Sequence, residues 1–257
     1  MSESALQPLR VLIVDDEAPA RSRMKDLLAD CAPQLALTLA GEADSGRAAL
    51  ELLSERGADL VLLDIRMPEM DGIEVAQHLQ KLECPPAVVF TTAYDAYAIR
   101  AFEVNAVDYL LKPIRAARLR DALLRARTAA RPRPETLREL QPAPRAFLSA
   151  QERGKIHLIP IADVIYLKAE LKYVTVRDPR REYLVDESLT RLEQEYGDRF
   201  VRVHRNCLVA RDAIRGFERG AGEGSEGSWL VVLNGCDEKI AVSRRQQHIV
   251  REFRKER

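Results

Sequence analysis

Two uninterrupted aliphatic runs, Val11-Leu12-Ile13-Val14 and Leu60-Val61-Leu62-Leu63, each end on acidic residues: Asp15 and Asp16 after the first, Asp64 after the second. Runs of this length without a polar break predict strands buried on both faces of a parallel sheet. Three shorter runs, Leu37–Ala40, Val88–Phe90 and Tyr109–Leu111, alternate with helical patterns near 18–31, 46–56, 71–81, 94–103 and 115–127. Five strand–helix units make a doubly wound α/β domain. Right-handed crossovers with a flavodoxin-like strand order place the first and third strands side by side. Asp15, Asp16 and Asp64 then converge at the carboxyl edge of the sheet, where ligands gather in such folds.

After residue 126 the pattern changes. Thr128 to Pro144 contains Pro132, Pro134, Pro142 and Pro144 among Arg, Ala and Glu. Proline at this density fixes φ and removes donors, which predicts a semi-extended linker with one short helical turn around Glu135–Leu140. Beyond it the hydrophobic period becomes two, predicting strands at Ile156–Ile159, Val164–Leu167, Tyr173–Val176, Phe200–Val203 and Trp229–Leu233. Gly220 to Gly227 reads as an exposed loop, Ser188–Tyr196 as a helix, and a closing helix starts at Ser243. The expected organisation is an α/β domain over 8–126, a Pro/Arg-rich linker over 127–145 and a mostly β domain over 146–252.

The chain of 257 residues is long enough for two cores, and 46% hydrophobic with 31% charged residues describes a soluble globular protein. A net charge of zero hides an asymmetry: residues 1–126 carry 14 Lys and Arg against 20 Asp and Glu, 127–145 carry 5 against 2, and 146–257 carry 21 against 18. That ordering suits a regulatory module followed by one that binds a polyanion. Cys31, Cys84, Cys207 and Cys236 have no C-x-x-C spacing, and His78, His157, His204 and His248 have no metal-ligand spacing. With no signal peptide or long apolar segment, the expectation is a cytoplasmic protein with buried thiols and no membrane partner.

Carboxylates about 4 Å apart repel by roughly 4 kcal/mol per pair at an effective dielectric near 20. Three in one pocket therefore call for a hard divalent cation, and Mg²⁺, which favours a few carboxylates with water and phosphate oxygens, suits phosphoryl transfer. In that chemistry Asp64 is the nucleophile that forms an acyl phosphate. Thr92, at the end of the fourth strand, supplies a hydroxyl, and Lys112, at the end of the fifth, a second cation; Pro113 after the lysine admits a cis peptide. An acidic pair after one strand is ordinarily just a helix N-cap. The joint pattern over four strand ends is far more specific.

Val14-Asp15-Asp16-Glu17, Asp64-Ile65-Arg66-Met67-Pro68 and Lys112-Pro113 together resemble the receiver domain of two-component response regulators, over about residues 8–126. The resemblance implies that a sensor histidine kinase phosphorylates Asp64, that Asp16 binds Mg²⁺ directly and Asp15 through water, and that the Arg66 main-chain carbonyl is a further ligand. It implies also that Thr92 and Tyr109 form a switch pair. Self-association is expected through the helix near 94–103, the strand at 109–111 and the helix near 115–127, with Phe102, Glu103, Asp108 and Arg115 on or near that face. The chain is then no enzyme beyond Mg²⁺-dependent phosphorylation and dephosphorylation of its own Asp64.

Val201-Arg202-Val203-His204-Arg205-Asn206-Cys207-Leu208-Val209 and Val242-Ser243-Arg244-Arg245 resemble the LytTR DNA-binding domain, over about residues 146–252. The resemblance implies that Lys172, or the adjacent Tyr173, and Arg244 read bases in successive major grooves of double-stranded DNA while Arg205 enters the minor groove between them. Arg202, His204, Asn206 and Arg245 complete the expected DNA-binding set, all on loops or element ends. His204 could equally pack to orient Arg205, Glu170 could pair with Lys172, and Tyr166 and Tyr173 read better as β-sheet residues than as stacking platforms. The expected whole is a phosphorylation-dependent transcription regulator that pairs on DNA. Three alternatives stay open: a phosphorylation-independent DNA-binding regulator, a receiver with a protein-binding β-domain, and a metal-dependent phosphohydrolase, for which Arg66 is a poor acid/base partner.

Overall fold

A computed structural model describes residues 7–82, 84–93, 107–128, 144–153, 155–220 and 229–253. The predicted helix at 94–103, with Phe102 and Glu103, and the predicted helical turn at 135–140 lie outside these residues, as does most of the Gly220–Gly227 loop. The chain divides into two compact units, Met1–Arg145 with Gln151–Ile156, and Ala146–Ala150 with His157–Arg257.

In the first unit five parallel strands, β1 (Leu9–Val14), β2 (Leu37–Ala43), β3 (Leu60–Asp64), β4 (Ala87–Thr92) and β5 (Asp108–Leu111), are ordered β2-β1-β3-β4-β5. Every residue of β3 is buried, as expected for a central strand covered on both faces. Helices α1 (Ala18–Cys31) and α4 (Ala116–Thr128) pack Met24, Leu27, Leu28, Leu119, Ala122 and Leu123 against Val11, Ile13, Leu60 and Leu62 on one face. Alternation sends Leu12 and Val14 to the opposite face, beside α2 (Gly46–Arg56) and α3 (Gly72–Leu79). The sequence-predicted bounds of α1 and α2 coincide with those observed.

One backbone position fixes this arrangement near the end of β3. Asp71 caps α3 by accepting from the Glu74 amide at 2.8 Å, and Gly72 follows it. A Cβ at Gly72 would stand 2.1 Å from the Asp64 carbonyl oxygen, so only glycine lets α3 begin this close to β3. Lys112–Pro113 is cis. At the start of β5, Asp108 holds α4 through bidentate contact with Arg118 at 2.7 and 2.8 Å and through Arg125. Burial pushes the Asp108 carboxyl up, but the hydrogen bonds from Arg118, the Tyr109 amide and Arg125 outweigh it and hold it below the usual carboxylate range.

The second unit is built on an antiparallel sheet ordered β10-β9-β8-β12-β11. Its strands are β8 (Tyr166–Glu170), β9 (Tyr173–Arg177), β10 (Glu182–Val185), β11 (Phe200–His204) and β12 (Cys207–Ala210). One face buries Leu167, Val174, Val176, Leu208 and Ala210 with α5 (Leu189–Glu195) and with Leu148 and Ile159 of the hairpin β6 (Phe147–Glu152) and β7 (Lys155–Pro160). The other buries Tyr166, Val203, Cys207 and Val209 against a three-stranded sheet, β13 (Ile214–Arg219), β14 (Trp229–Leu233) and β15 (Lys239–Val242), and α6 (His248–Phe253). The closing helix differs from expectation: a 3-10 turn over Arg244–Gln246 precedes α6. The thiols also differ. Cys31 and Cys207 are buried, but Cys84, in the loop before Pro85 and Pro86, is exposed, and Cys236, in the β14–β15 turn, is half-buried. Among the described residues no helix is long and apolar enough to cross a membrane.

Gly72→Ala is expected to destabilise the first unit by about 1–3 kcal/mol, the usual cost of overpacking, read as a lower urea midpoint. Asp108→Asn should lower that midpoint at neutral pH. Because the folded pKa lies below the unfolded one, the contribution is present above the unfolded value and is lost as pH falls, so the gap between variant and wild type should begin to close at about pH 4 and narrow further below it.

Candidate functional site

The carboxyl edge of the parallel sheet gathers the acidic residues through strand register. Val14 lies opposite Leu63 in the β1–β3 pairing, so the next residues, Asp15 and Asp64, are neighbours. One carboxylate oxygen from each of Asp15, Asp16 and Asp64 lies within 4.8 Å of the others; Asp15 and Asp64 are buried and Asp16 is exposed. Lys112 Nζ stands 2.7 Å from Asp15 Oδ2 and 2.9 Å from Asp64 Oδ1. The remaining oxygens are directed by main chain: the Glu17 amide donates to Asp15 Oδ1 and the Arg66 amide to Asp64 Oδ2, both at 3.0 Å. Arg21 ties the loop beneath them, donating to the Asp15 carbonyl at 2.8 Å.

Backbone pairing sets the other two strand ends. Asp64 is in register with Thr91 on β4, and the Lys112 amide donates to the Thr92 carbonyl at 2.7 Å. Thr92 is fully buried and Tyr109, on β5 opposite Phe90, is 8% exposed, with its ring inside the unit. Burial pushes the Asp64 carboxyl above its usual range, against the hydrogen bond and charge of Lys112. Burial also works against the Lys112 ammonium, but its bonds to Asp15 and Asp64 prevail and raise it. Three carboxylates and one ammonium leave two negative charges. An oxygen-rich donor set with that charge, one member open to solvent, fits a hard divalent cation such as Mg²⁺. Gly72 is the functional position that the sequence reading missed; its signal was a glycine directly after the capping Asp71, eight residues beyond Asp64.

In the second unit, strand pairing brings three loops to one end of the central sheet. The β8–β9 turn is Leu171-Lys172, bounded by the Glu170–Tyr173 pair. The β11–β12 turn is Arg205-Asn206, and the Ala169 amide donates to the Asn206 carbonyl at 2.7 Å, so it projects beside the first. The Ser243 amide donates to the Val203 carbonyl at 2.9 Å, which sets Arg244 next to the end of β11. Lys172, Arg205, Arg244 and Arg245 are all exposed, and none is paired with a carboxylate among the described residues. Lys172 Nζ lies 5.6 Å from the Tyr173 ring centroid.

The other residues assigned to DNA from sequence are differently placed. Arg202 is not at an element end but within β11; its guanidinium grips Glu193 of α5 at 2.6 and 2.9 Å and donates to the Arg205 carbonyl at 2.7 Å. His204 Nδ1 contacts the Asn206 side chain, which reaches the Ala169 carbonyl at 3.4 Å. Glu170 pairs with Lys168 at 2.7 Å rather than with Lys172, because residues two apart on a strand share a face. Tyr166 is a core residue whose hydroxyl meets Glu182 and Glu238, and Tyr173 is a partly exposed strand residue.

Comparison with known proteins defines the class. Residues 11–124 match the response regulator receiver domain and residues 154–255 the LytTr DNA-binding domain. The chain is 44% identical, over 92% of its length and 95% of the relative's, to the Positive alginate biosynthesis regulatory protein of Pseudomonas aeruginosa. It is 34% identical to the Sensory transduction protein LytT of Bacillus subtilis, over 80% of this chain and 85% of that one. Among solved structures, the response regulatory domain of protein mrkE from Klebsiella pneumoniae shares 32% identity over 47% of this chain and 96% of that one, with a TM-score of 0.42. The protein therefore belongs to the LytTR-type response regulators, a receiver joined to a DNA-binding domain that regulates transcription.

At Mg²⁺ one hundred times its dissociation constant, the receiver should gain about 2.7 kcal/mol of stability. Asp16→Asn, which removes the exposed carboxylate, should lose most of that gain in urea unfolding; equal gains would separate cation binding from this cluster.

Proposed function

We propose that Asp64 accepts a phosphoryl group from a sensor histidine kinase in the cytoplasm and that the acyl phosphate controls DNA binding by the LytTR domain. The observation that supports this most directly is the position of Asp64: a buried carboxylate at a strand end, beside two further carboxylates and in contact with Lys112. Mg²⁺ would be held by Asp15, Asp16, Asp64 and the Arg66 main-chain carbonyl. The ion would supply positive charge that offsets the repulsion between the carboxylates and an incoming phosphoryl group. An Asp64 oxygen forms the new P–O bond as the donor's P–N bond breaks and the leaving imidazole takes up a proton. Lys112 then exchanges its contact with Asp64 for the phosphoryl oxygens, and the Thr92 hydroxyl donates to them.

Thr92 moving toward the phosphoryl group holds the Tyr109 ring in the inward position that it already occupies here, which stabilises one of two receiver states. That state self-associates through the surface formed by β5, α4 and the segment at 94–103. Pairing raises the effective concentration of the second LytTR domain at its half-site without adding contacts. On double-stranded DNA, Lys172 and Arg244 read major-groove edges and Arg205 enters the minor groove, with Tyr173 and Arg245 alongside. Arg202, His204 and Asn206 position the Arg205 turn: Arg202 is engaged by Glu193 and by the carbonyl of Arg205 itself.

Asp64→Asn should abolish Mg²⁺-dependent labelling by acetyl phosphate, and labelling that persists at full stoichiometry would place the acceptor elsewhere. DNA affinity should fall steeply with salt in gel-shift titrations, with a log–log slope of about −0.9 per neutralised phosphate; a flat response would favour a protein-binding β-domain. Arg244→Ala should lose about 1–3 kcal/mol of sequence discrimination. If it weakens all duplexes equally and reduces the salt slope by about one, Arg244 is a phosphate contact.

A further inference from the structure

Leu171 is at odds with its position. It is the first of the two central residues of the β8–β9 turn, its φ is 52°, and its relative exposure is 110%. Two-residue hairpins place Gly, Asn or Asp where φ is positive, because the Cβ of other L-residues crowds the following carbonyl oxygen there. A leucine adds an apolar side chain held entirely in water, and no contact within the described residues compensates. The other described non-glycine residues with positive φ, Glu69 and Arg153, are charged and at ease in solvent. Backbone outliers of this kind cluster at binding and active sites, and among the described residues only at Leu171 does the outlier carry an apolar side chain into water.

The surroundings indicate that contact. Lys172 follows in the turn, the exposed Arg205 turn lies alongside, and Arg244 stands at the same end of the sheet. An isolated apolar tip among unpaired cations lacks the contiguous apolar area that a protein interface core requires. It suits a polyanion with small apolar groups at defined places, and the thymine C5-methyl is the apolar group that duplex DNA offers in its major groove. We propose that Leu171 is a specificity-determining residue that packs on a thymine methyl, so that the hairpin reads thymine beside the base read by Lys172. The proposal rests on the reading that this end of the sheet faces DNA. At 110% exposure the leucine stands clear of the rest of the sheet at the tip of its turn.

The test uses the full-length protein and duplexes selected by it from a randomised DNA library. Each thymine of a selected duplex is replaced singly by deoxyuridine, which deletes only the methyl. Wild type should lose about four-fold in affinity at one thymine of the half-site, the value of one buried methyl at roughly 0.8 kcal/mol. Leu171→Asn keeps a side chain tolerant of positive φ and should bind the thymine and deoxyuridine duplexes equally, with an unchanged or higher thermal midpoint. Leu171→Met, still apolar, should retain the methyl dependence. Wild-type indifference to every replacement, or an undiminished deoxyuridine penalty in Leu171→Asn, overturns the assignment alone. Failure of the wild type to select any duplex overturns the DNA reading and this assignment together.

Discussion

Three carboxylates crowded at the ends of two neighbouring strands, opposed by one ammonium, are the constraint around which the receiver is arranged. Asp15 and Asp64 are buried, and Lys112 bridges them while Asp16 stays in solvent. At an effective dielectric near 20 each close pair of like charges costs about 4 kcal/mol at 4 Å, so the cluster persists only because a rigid backbone imposes it. That backbone is specific: β1 and β3 in register, the Ile65 amide bonded to the Thr91 carbonyl, the Lys112 amide bonded to the Thr92 carbonyl, and α3 starting at Gly72 against the Asp64 carbonyl. The residual double negative charge is what fits the pocket to a hard divalent cation.

The second unit uses a different device. Its central sheet is buried on both faces, so it forms a stiff platform whose turns project from one end. Pairing sorts the cations there. Arg202 is bound to Glu193 and Lys168 to Glu170, whereas Lys172, Arg205 and Arg244 carry no carboxylate partner among the described residues. The paired cations shape the turns, and the free ones are available to a polyanion. A modest net charge is no obstacle to binding DNA, because what matters is where the unpaired charge sits.

Legibility from sequence followed burial. β1, β3 and β4 are covered on both faces, so their aliphatic runs stand out, and Asp15, Asp16, Asp64, Thr92 and Lys112 could be placed from them. The strands that sequence reading passed over, β6, β10, β12, β13 and β15, are four to six residues long. Glu182-Tyr183-Leu184-Val185 and Lys239-Ile240-Ala241-Val242 alternate too briefly to separate from loop, and Cys207-Leu208-Val209-Ala210, although buried, is only four residues long and follows β11 after the two-residue Arg205-Asn206 turn, which carries no glycine or proline to mark it. Arg202 looked like an exposed cation because its partner, Glu193, comes from a helix nine residues earlier.

Sequence by itself determined the two domain types, the order of the described strands and helices in the first, and the acidic and lysine residues that meet at its strand ends. Those follow from hydrophobic periodicity and from which residue types close each strand, both local properties. Tertiary structure decided which charges are paired, why Gly72 cannot carry a side chain, and that the turns bearing Leu171 and Lys172, Arg205, and Arg244 share one end of a sheet. These depend on strand register and on groups distant in the chain meeting in space, and no local pattern records them.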